Sequence, residues 1–261
     1  MGSATGHAKQ IAIALGLYRT LRWLDSALHH RLARAQAADR ALYSTILSPH
    51  SLVFDVGANT GEKSEALLRA GHRVVAFEPN PVLQAELTAR CGRSQEFTLV
   101  SAGLSDQPGL AILHAPPHRP HGMGSFDPAW GEKQEVNGRT QPNATVGLHF
   151  VSVTTLDTAI EMFGQPSYIK IDVEGWELKV LQGLSRSVPL VSFEFHSTAR
   201  HAERTRACLE RLASFGRAEV NITPAERSHF LFDDWVPLDR FDCTSVRLPG
   251  ELYGDLFVRR L

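Results

Sequence analysis

Asp55-Val56-Gly57-Ala58-Asn59-Thr60-Gly61 joins an apolar run, Ser51-Leu52-Val53-Phe54, to a stretch of helix formers, Glu62 to Ala70, that Gly71 stops. A strand, a glycine turn and a helix in that order form the opening of a nucleotide-type fold, and the spacing of the glycines decides which ligand it suits. A phosphate-binding loop needs GxxxxGK[ST]; only three residues separate Gly57 from Gly61, and Glu62 stands where its second glycine belongs. A dinucleotide loop needs GxGxxG, but counting from Gly57 those positions hold Asn59 and Glu62. A glutamate beside a pyrophosphate at a helix N-terminus opposes the usual electrostatics.

The remaining pattern is acidic-x-Gly-x-x-x-Gly. It suits a ligand whose end near the turn is cationic and free of phosphate. S-adenosylmethionine, with a sulfonium and an amino group, is such a ligand. The next strand, Arg73 to Glu78, ends on a carboxylate, and a carboxylate there accepts hydrogen bonds from two ribose hydroxyls. Glu78 therefore strengthens the cofactor reading.

Outward from this turn the chain alternates strand and helix. Asn80 and Pro81 supply an N-cap and N1 for a helix that Gly92 stops, and Phe97 to Ala102 reads as a third strand. The turn Asp106-Gln107-Pro108-Gly109 precedes a short strand, Leu110 to His114. The pattern resumes with a helix from Thr155 to Phe163, a strand from Tyr168 to Val173 and a helix from Trp176 to Gln182. A strand from Leu190 to Phe195 and a helix from Ala199 to Phe215 follow, and Ala218–Ile222 and Leu256–Arg259 read as the last two strands. This repetition predicts an α/β fold, a parallel sheet with helices on both faces.

Two segments stand apart. Residues 1–50 carry Lys9, Arg19, Arg22, Arg31, Arg34 and Arg40 against Asp25 and Asp39. Their apolar residues Ile13, Leu17, Leu21, Leu24 and Leu28 recur at helical spacing. They are expected to form a helical cap on a main domain over 51–261; the alternative is a basic face for a membrane surface or a second copy of the chain. Residues 115–147 are rich in Pro, Gly and Asn and are expected to form an inserted substrate loop, with Gly122-Met123-Gly124-Ser125-Phe126 as a lid.

The bulk composition excludes other classes. The chain has 261 residues, 27 Lys+Arg, 28 Asp+Glu and a net charge of -1, without the basic stripe of a nucleic-acid binder. Cys91, Cys208 and Cys243 lack CxxC spacing, which argues against a disulfide framework or a zinc-cysteine site. The apolar run Ile11 to Tyr18 is short and meets Arg19 and Arg22, so neither a membrane span nor a signal peptide is expected. Gly6 breaks the myristoylation motif, and a cytoplasmic location is expected.

FDVGANTG (54–61), VVAFEPNP (74–81), LVSAGLSD (99–106), VTTLD (153–157), IKIDVEGWELKVLQG (169–183) and SFEFH (192–196) occur in order, and DLFVRR (255–260) reads as a closing strand. In these segments the chain resembles the FkbM family of S-adenosylmethionine-dependent methyltransferases. The resemblance implies a class I, Rossmann-like methyltransferase domain, a seven-stranded, mostly parallel sheet with helices on both faces, that acts on an oxygen of a sugar, glycolipid or natural product. It also implies roles. Asp55, Gly57, Asn59 and Gly61, with Ala58 and Thr60 between them, line the methionine end of the cofactor. Glu78 holds the ribose, while Pro79 and Asn80 shape the adenine side. Gly103, Leu104 and Ser105 flank adenine, and Asp172 faces the methionine part or the substrate.

Transfer to a hydroxyl needs an aligned oxygen and a group that manages its proton. Asp172 and Glu174 are two apart, as are Glu194 and His196, so each pair shares a face if its strand is extended. His196 is the leading base, with Glu174 or Glu194 orienting it. A hard divalent ion held by the same residues is the less favoured alternative, and no metal site is assigned. His114, His118 and His121 sit in a proline-rich stretch and read as solvated; Trp130 and Trp235 read as core or as sugar-stacking platforms. The rivals in other classes are a nucleotide-dependent oxidoreductase, which Asn59 and Glu62 oppose, and a non-catalytic binding protein that keeps the fold.

Overall fold

Leu52–Val56 (β1) is buried at all five positions, as a strand covered on both faces must be. The structure, a computed structural model, describes residues 36–115, 124–128, 135–136, 139–140, 147–197, 199–225, 228–246, 248 and 253–261. Residues 1–35, with most of the expected cap, lie outside the described residues, as do His118, His121, Gly122, Met123 and Trp130.

β1 pairs in parallel with β2 (Arg73–Phe77), and β2 with β3 (Phe97–Val100). Two short elements follow: β4 (Gly103–Leu104) and β5 (Gly109–Ala115). Next come a two-residue pair, β6 (Glu135–Val136) with β7 (Arg139–Thr140), and then β8 (Gly147–Thr154). β9 (Tyr168–Ile171) and β10 (Leu190–His196) extend the sheet on the other side of β1. β11 (Ala218–Pro224), β12 (Val236–Pro237) and β13 (Tyr253–Arg260) complete it in the order β12-β11-β13-β10-β9-β1-β2-β3. β13 is antiparallel to both β10 and β11 and lies between them. The seven expected strands are present, with β12 as an added two-residue edge.

Alternation along the strands sends side chains to two cores. Val53, Val74, Ala76, Tyr168, Leu190 and Phe257 meet Leu42 and Tyr43 of α1 (36–46), Ala66 and Leu67 of α2 (Glu62–Arg69) and Leu87 of α3 (Pro81–Cys91). Phe54, Val56, Ile169, Ile171, Val191 and Phe193 meet three further helices: α4 (Leu156–Phe163), α5 (Glu177–Gln182) and α6 (Ala199–Ala213). The described part of residues 1–50 is thus one helix packed on the sheet.

The sequence reading differs from the structure in the middle of the chain. Its third strand ends at Val100, and Gly103–Leu104 leaves for a separate three-stranded sheet, β4-β8-β5. β8, which the sequence reading left unassigned, pairs with β5 from Gly147 to Val153.

Candidate active site

The first turn folds back onto the end of β2. Gly57 and Ala58 donate their amides to the Phe77 carbonyl at 2.9 and 3.2 Å. Gly57 and Gly61 have φ of 80° and 86°, and Asn59 takes a left-handed φ of 52°. Any side chain at Gly57 collides: its Cβ would lie 1.9 Å from the Asp172 carbonyl oxygen. The turn presents the Asn59 amide to Glu78 Oε2 at 2.8 Å, while the Asn80 amide reaches Oε1 at 2.8 Å. Asn80 also caps α3 by accepting from the Val82 amide, with Pro81 at N1. Burial pushes the Glu78 carboxyl up to about 7 against the pull of those two amides, with Asp55 and Asp172 adding repulsion.

Glu78 stands in an open cleft at the carboxyl ends of the parallel strands. Gly57, Asn59, Glu78, Pro79, Asn80, Gly103, Leu104, Asp172 and Glu174 line it. Asp55, Ala58, Thr60, Gly61 and Ser105 do not. Asp55 is fully buried beneath the turn, where Ser64 Oγ donates to its Oδ2 at 2.6 Å and Lys170 faces it across the β1–β9 register. Phe77, Leu83 and Leu104 supply an apolar wall.

The far wall comes from the insertion. Ser125 exchanges backbone hydrogen bonds with His114 at 2.9 and 3.0 Å, and its Oγ donates to the Glu174 carbonyl at 2.8 Å. Phe126 is buried beside Gly103, with its ring edge-on to Trp176 at 6.0 Å. Residues 124–126 therefore roof the cleft.

Glu194 and His196 lie in an adjoining pocket, together with Glu177, His201, Arg204 and Cys208. His196 Nε2 is 3.2 Å from Glu194 Oε2, and its ring stacks on His201 at 4.5 Å. Burial lowers the His196 pKa, but Glu194, Glu177 and Asp172 outweigh it and hold it above the ordinary value. Glu174 lines the cofactor cleft and precedes Gly175, which lines the second pocket. Glu174 takes a left-handed φ of 55°, and burial with the charges of Glu194, Asp172 and Glu177 holds its carboxyl protonated well above the usual range. Of the two carboxylates considered for His196, the structure pairs it with Glu194. Among the described residues, no group of three His, Cys, Asp or Glu is placed to hold a metal ion.

Lys170 escaped the sequence reading. It is buried, donates to Asp172 Oδ2 at 2.8 Å and is flanked by the charges of Asp55 and Asp255. A lone lysine in the apolar run Tyr168-Ile169-Lys170-Ile171 was the available signal. Trp235 is no platform at this site: it lies near the amino ends of the strands, against Phe230 and with Arg259 4.3 Å above its ring.

The strand order, with the antiparallel β13 between β10 and β11, the glycine turn after β1 and the buried carboxylate after β2 define a class I methyltransferase. A methyltransferase FkbM domain matches residues 55–223, and the chain belongs to that S-adenosylmethionine-dependent family. Over 176 residues it is 27% identical to the hexuronic acid methyltransferase AglP of Haloferax volcanii, covering 65% of this chain and 66% of the relative. Over 72 residues it is 43% identical to ribosomal RNA small subunit methyltransferase A of Kineococcus radiotolerans, covering 27% of this chain and 24% of that protein. The chain thus spans less than two thirds of either relative's length. The solved magnesium protoporphyrin IX methyltransferase ChlM of Synechocystis, with bound S-adenosylmethionine, is 13% identical at a TM-score of 0.44 over 88% of this chain and 79% of that one.

The residues of the cleft fit the cofactor. Asn59 carries a buried side-chain oxygen without a partner in the protein, an acceptor suited to the cofactor's ammonium. Glu78 has acceptor capacity left for ribose hydroxyls, and the apolar wall suits adenine. No helix among the described residues is long and apolar enough to cross a membrane.

Proposed function

We propose that this chain methylates a hydroxyl group of a sugar-type acceptor, with His196 as the base and Glu194 as its partner. The observation that carries the reading is the Glu194–His196 pair, 3.2 Å apart at the carboxyl end of β10 and next to the cleft. The likeness to a hexuronic acid methyltransferase supports a sugar as the acceptor class.

In this reading Glu78 would hold the ribose, and Asn59 and Asp172 the methionine end. Bound S-adenosylmethionine supplies an electrophilic methyl group and leaves as S-adenosylhomocysteine. The protein's own task is to set the hydroxyl oxygen in line with that methyl and to take its proton on the His196 imidazole, where Glu194 stabilises the resulting cation. Glu174, held neutral, is a hydrogen-bond donor in the cofactor cleft rather than a second base.

Calorimetric titration with S-adenosylmethionine, S-adenosylhomocysteine and NAD tests the cofactor; binding of NAD alone would overturn the reading. Methyl transfer to hexuronic acids and neutral sugars tests the acceptor. Replacing His196 by Gln is expected to slow transfer by about 100- to 10,000-fold with cofactor affinity kept. In the native protein kcat should rise with pH through a pKa above the ordinary histidine value of about 6.5. Unchanged transfer by the variant would remove His196 from the mechanism.

A further inference from the structure

The charges around the second pocket are paired, and the pairs differ in how readily they exchange. Lys170 is held by Asp172, but its side chain is 4% exposed and cannot meet a ligand. His196 is held by Glu194 from its own strand. Arg204, on α6, lines the pocket with a side chain 48% exposed, and its Nη2 lies 2.7 Å from Asp127 Oδ2. Asp127 comes from a different part of the fold, the 124–128 segment that roofs the cofactor cleft.

We infer that Arg204 is the anchor for a carboxylate on the acceptor, and that Asp127 is an internal stand-in which gives up the guanidinium when the acceptor binds. The inference rests on reading the second pocket as the acceptor site. An acidic acceptor brought beside Glu194 and Asp172 is repelled unless a cation meets it, whereas a neutral one has no such need. Arg204 is the lining cation whose present partner can leave without dismantling the sheet. The Arg204 side of this pair is half exposed, so the guanidinium stays within reach of solvent and of an incoming carboxylate, although Asp127 itself is only 17% exposed. The guanidinium fork matches a free carboxylate in two-point geometry.

The roof adds a coupling. Ser125 Oγ accepts from the Asp127 amide at 3.0 Å and donates to the Glu174 carbonyl at 2.8 Å. Asp127 is therefore held toward Arg204 by the residue that closes the cofactor cleft.

The test is binding of D-glucuronate and of methyl glucoside to the protein loaded with S-adenosylhomocysteine, followed by calorimetry, with methyl transfer measured in parallel. The native protein should bind glucuronate the more tightly. Arg204→Gln should weaken glucuronate at least tenfold and leave methyl glucoside and S-adenosylhomocysteine unchanged. Arg204→Lys, which keeps the charge without the fork, should fall between. Asp127→Asn should tighten glucuronate several-fold. Equal affinity of the native protein for both sugars, no glucuronate binding, or weaker glucuronate binding in Asp127→Asn would overturn the inference. Glucuronate bound through Arg204 without methyl transfer would leave the anchor standing and sink the proposed reaction. Transfer to both sugars without preference would do the reverse.

Discussion

Glu78 shows how one side chain sets a pH response. Its carboxylate form is the one that would accept hydrogen bonds from ribose hydroxyls, yet burial holds its pKa at about 7. Cofactor affinity should therefore rise between pH 6 and pH 8 in calorimetric titrations. Glu78→Gln should flatten that rise and weaken binding by about 10- to 100-fold, the loss of a charged hydrogen bond of about 1.5–3 kcal/mol. The same shift acts on stability with the opposite sign. The folded state binds the extra proton, so Glu78 stabilises at low pH and this contribution is lost as pH rises toward 7. Glu78 was legible because an acid at the end of the second strand has few structural uses. Asp55 was legible as an acid before the turn, but its direction was not: the β1–β9 register turns it under the turn toward Ser64 and Lys170.

At the level of elements, the roof over the cleft is separable from the main sheet. Phe126 packs with Leu113, Ala115, Val151 and Val153 in a small core of its own. Phe126→Ala should reduce cofactor affinity and speed amide exchange along β5 and β8, while amides of β1 and β9 stay protected. Uniform loss of protection in hydrogen-exchange measurements would contradict that separation. The sequence concealed this element for a physical reason. In β8, Leu148 and Phe150 face solvent at 59% and 78% exposure, whereas Val151 and Val153 face inward. The apolar residues thus switch faces in mid-strand, and the two-residue period that marks a half-buried strand is broken. The helices flanking the main sheet, with their caps at Asn80 and Thr155, had no such break and were read to within a few residues.

Across the whole molecule, Lys170 ties the middle of the sheet together. It is fully buried, with the charges of Asp172, Asp55 and Asp255 holding its ammonium protonated far above the usual range. Lys170→Met should cost about 3–5 kcal/mol in denaturant unfolding, because buried acids lose their counter-charge. The deficit should shrink as pH falls, since the stranded carboxyls then take up protons that the unfolded chain does not hold. The family was legible because its motifs are local, each within one turn. The second pocket was not, because it joins β10 to α6, and the Asp127 that meets Arg204 comes from the insertion, 77 residues earlier.

The position of β13 bears on how the chain comes off the ribosome. Residues 253–260 fill the gap between β10 and β11, with Gly254 so close to Thr223 that a Cβ there would lie 2.2 Å from its carbonyl oxygen. Until this strand is synthesised, both neighbours carry an open hydrogen-bonding edge, and the nascent protein must be kept from pairing with other chains. Completion of the sheet therefore waits for the end of translation of this segment, although the cofactor cleft at β1, β2 and β9 is encoded much earlier.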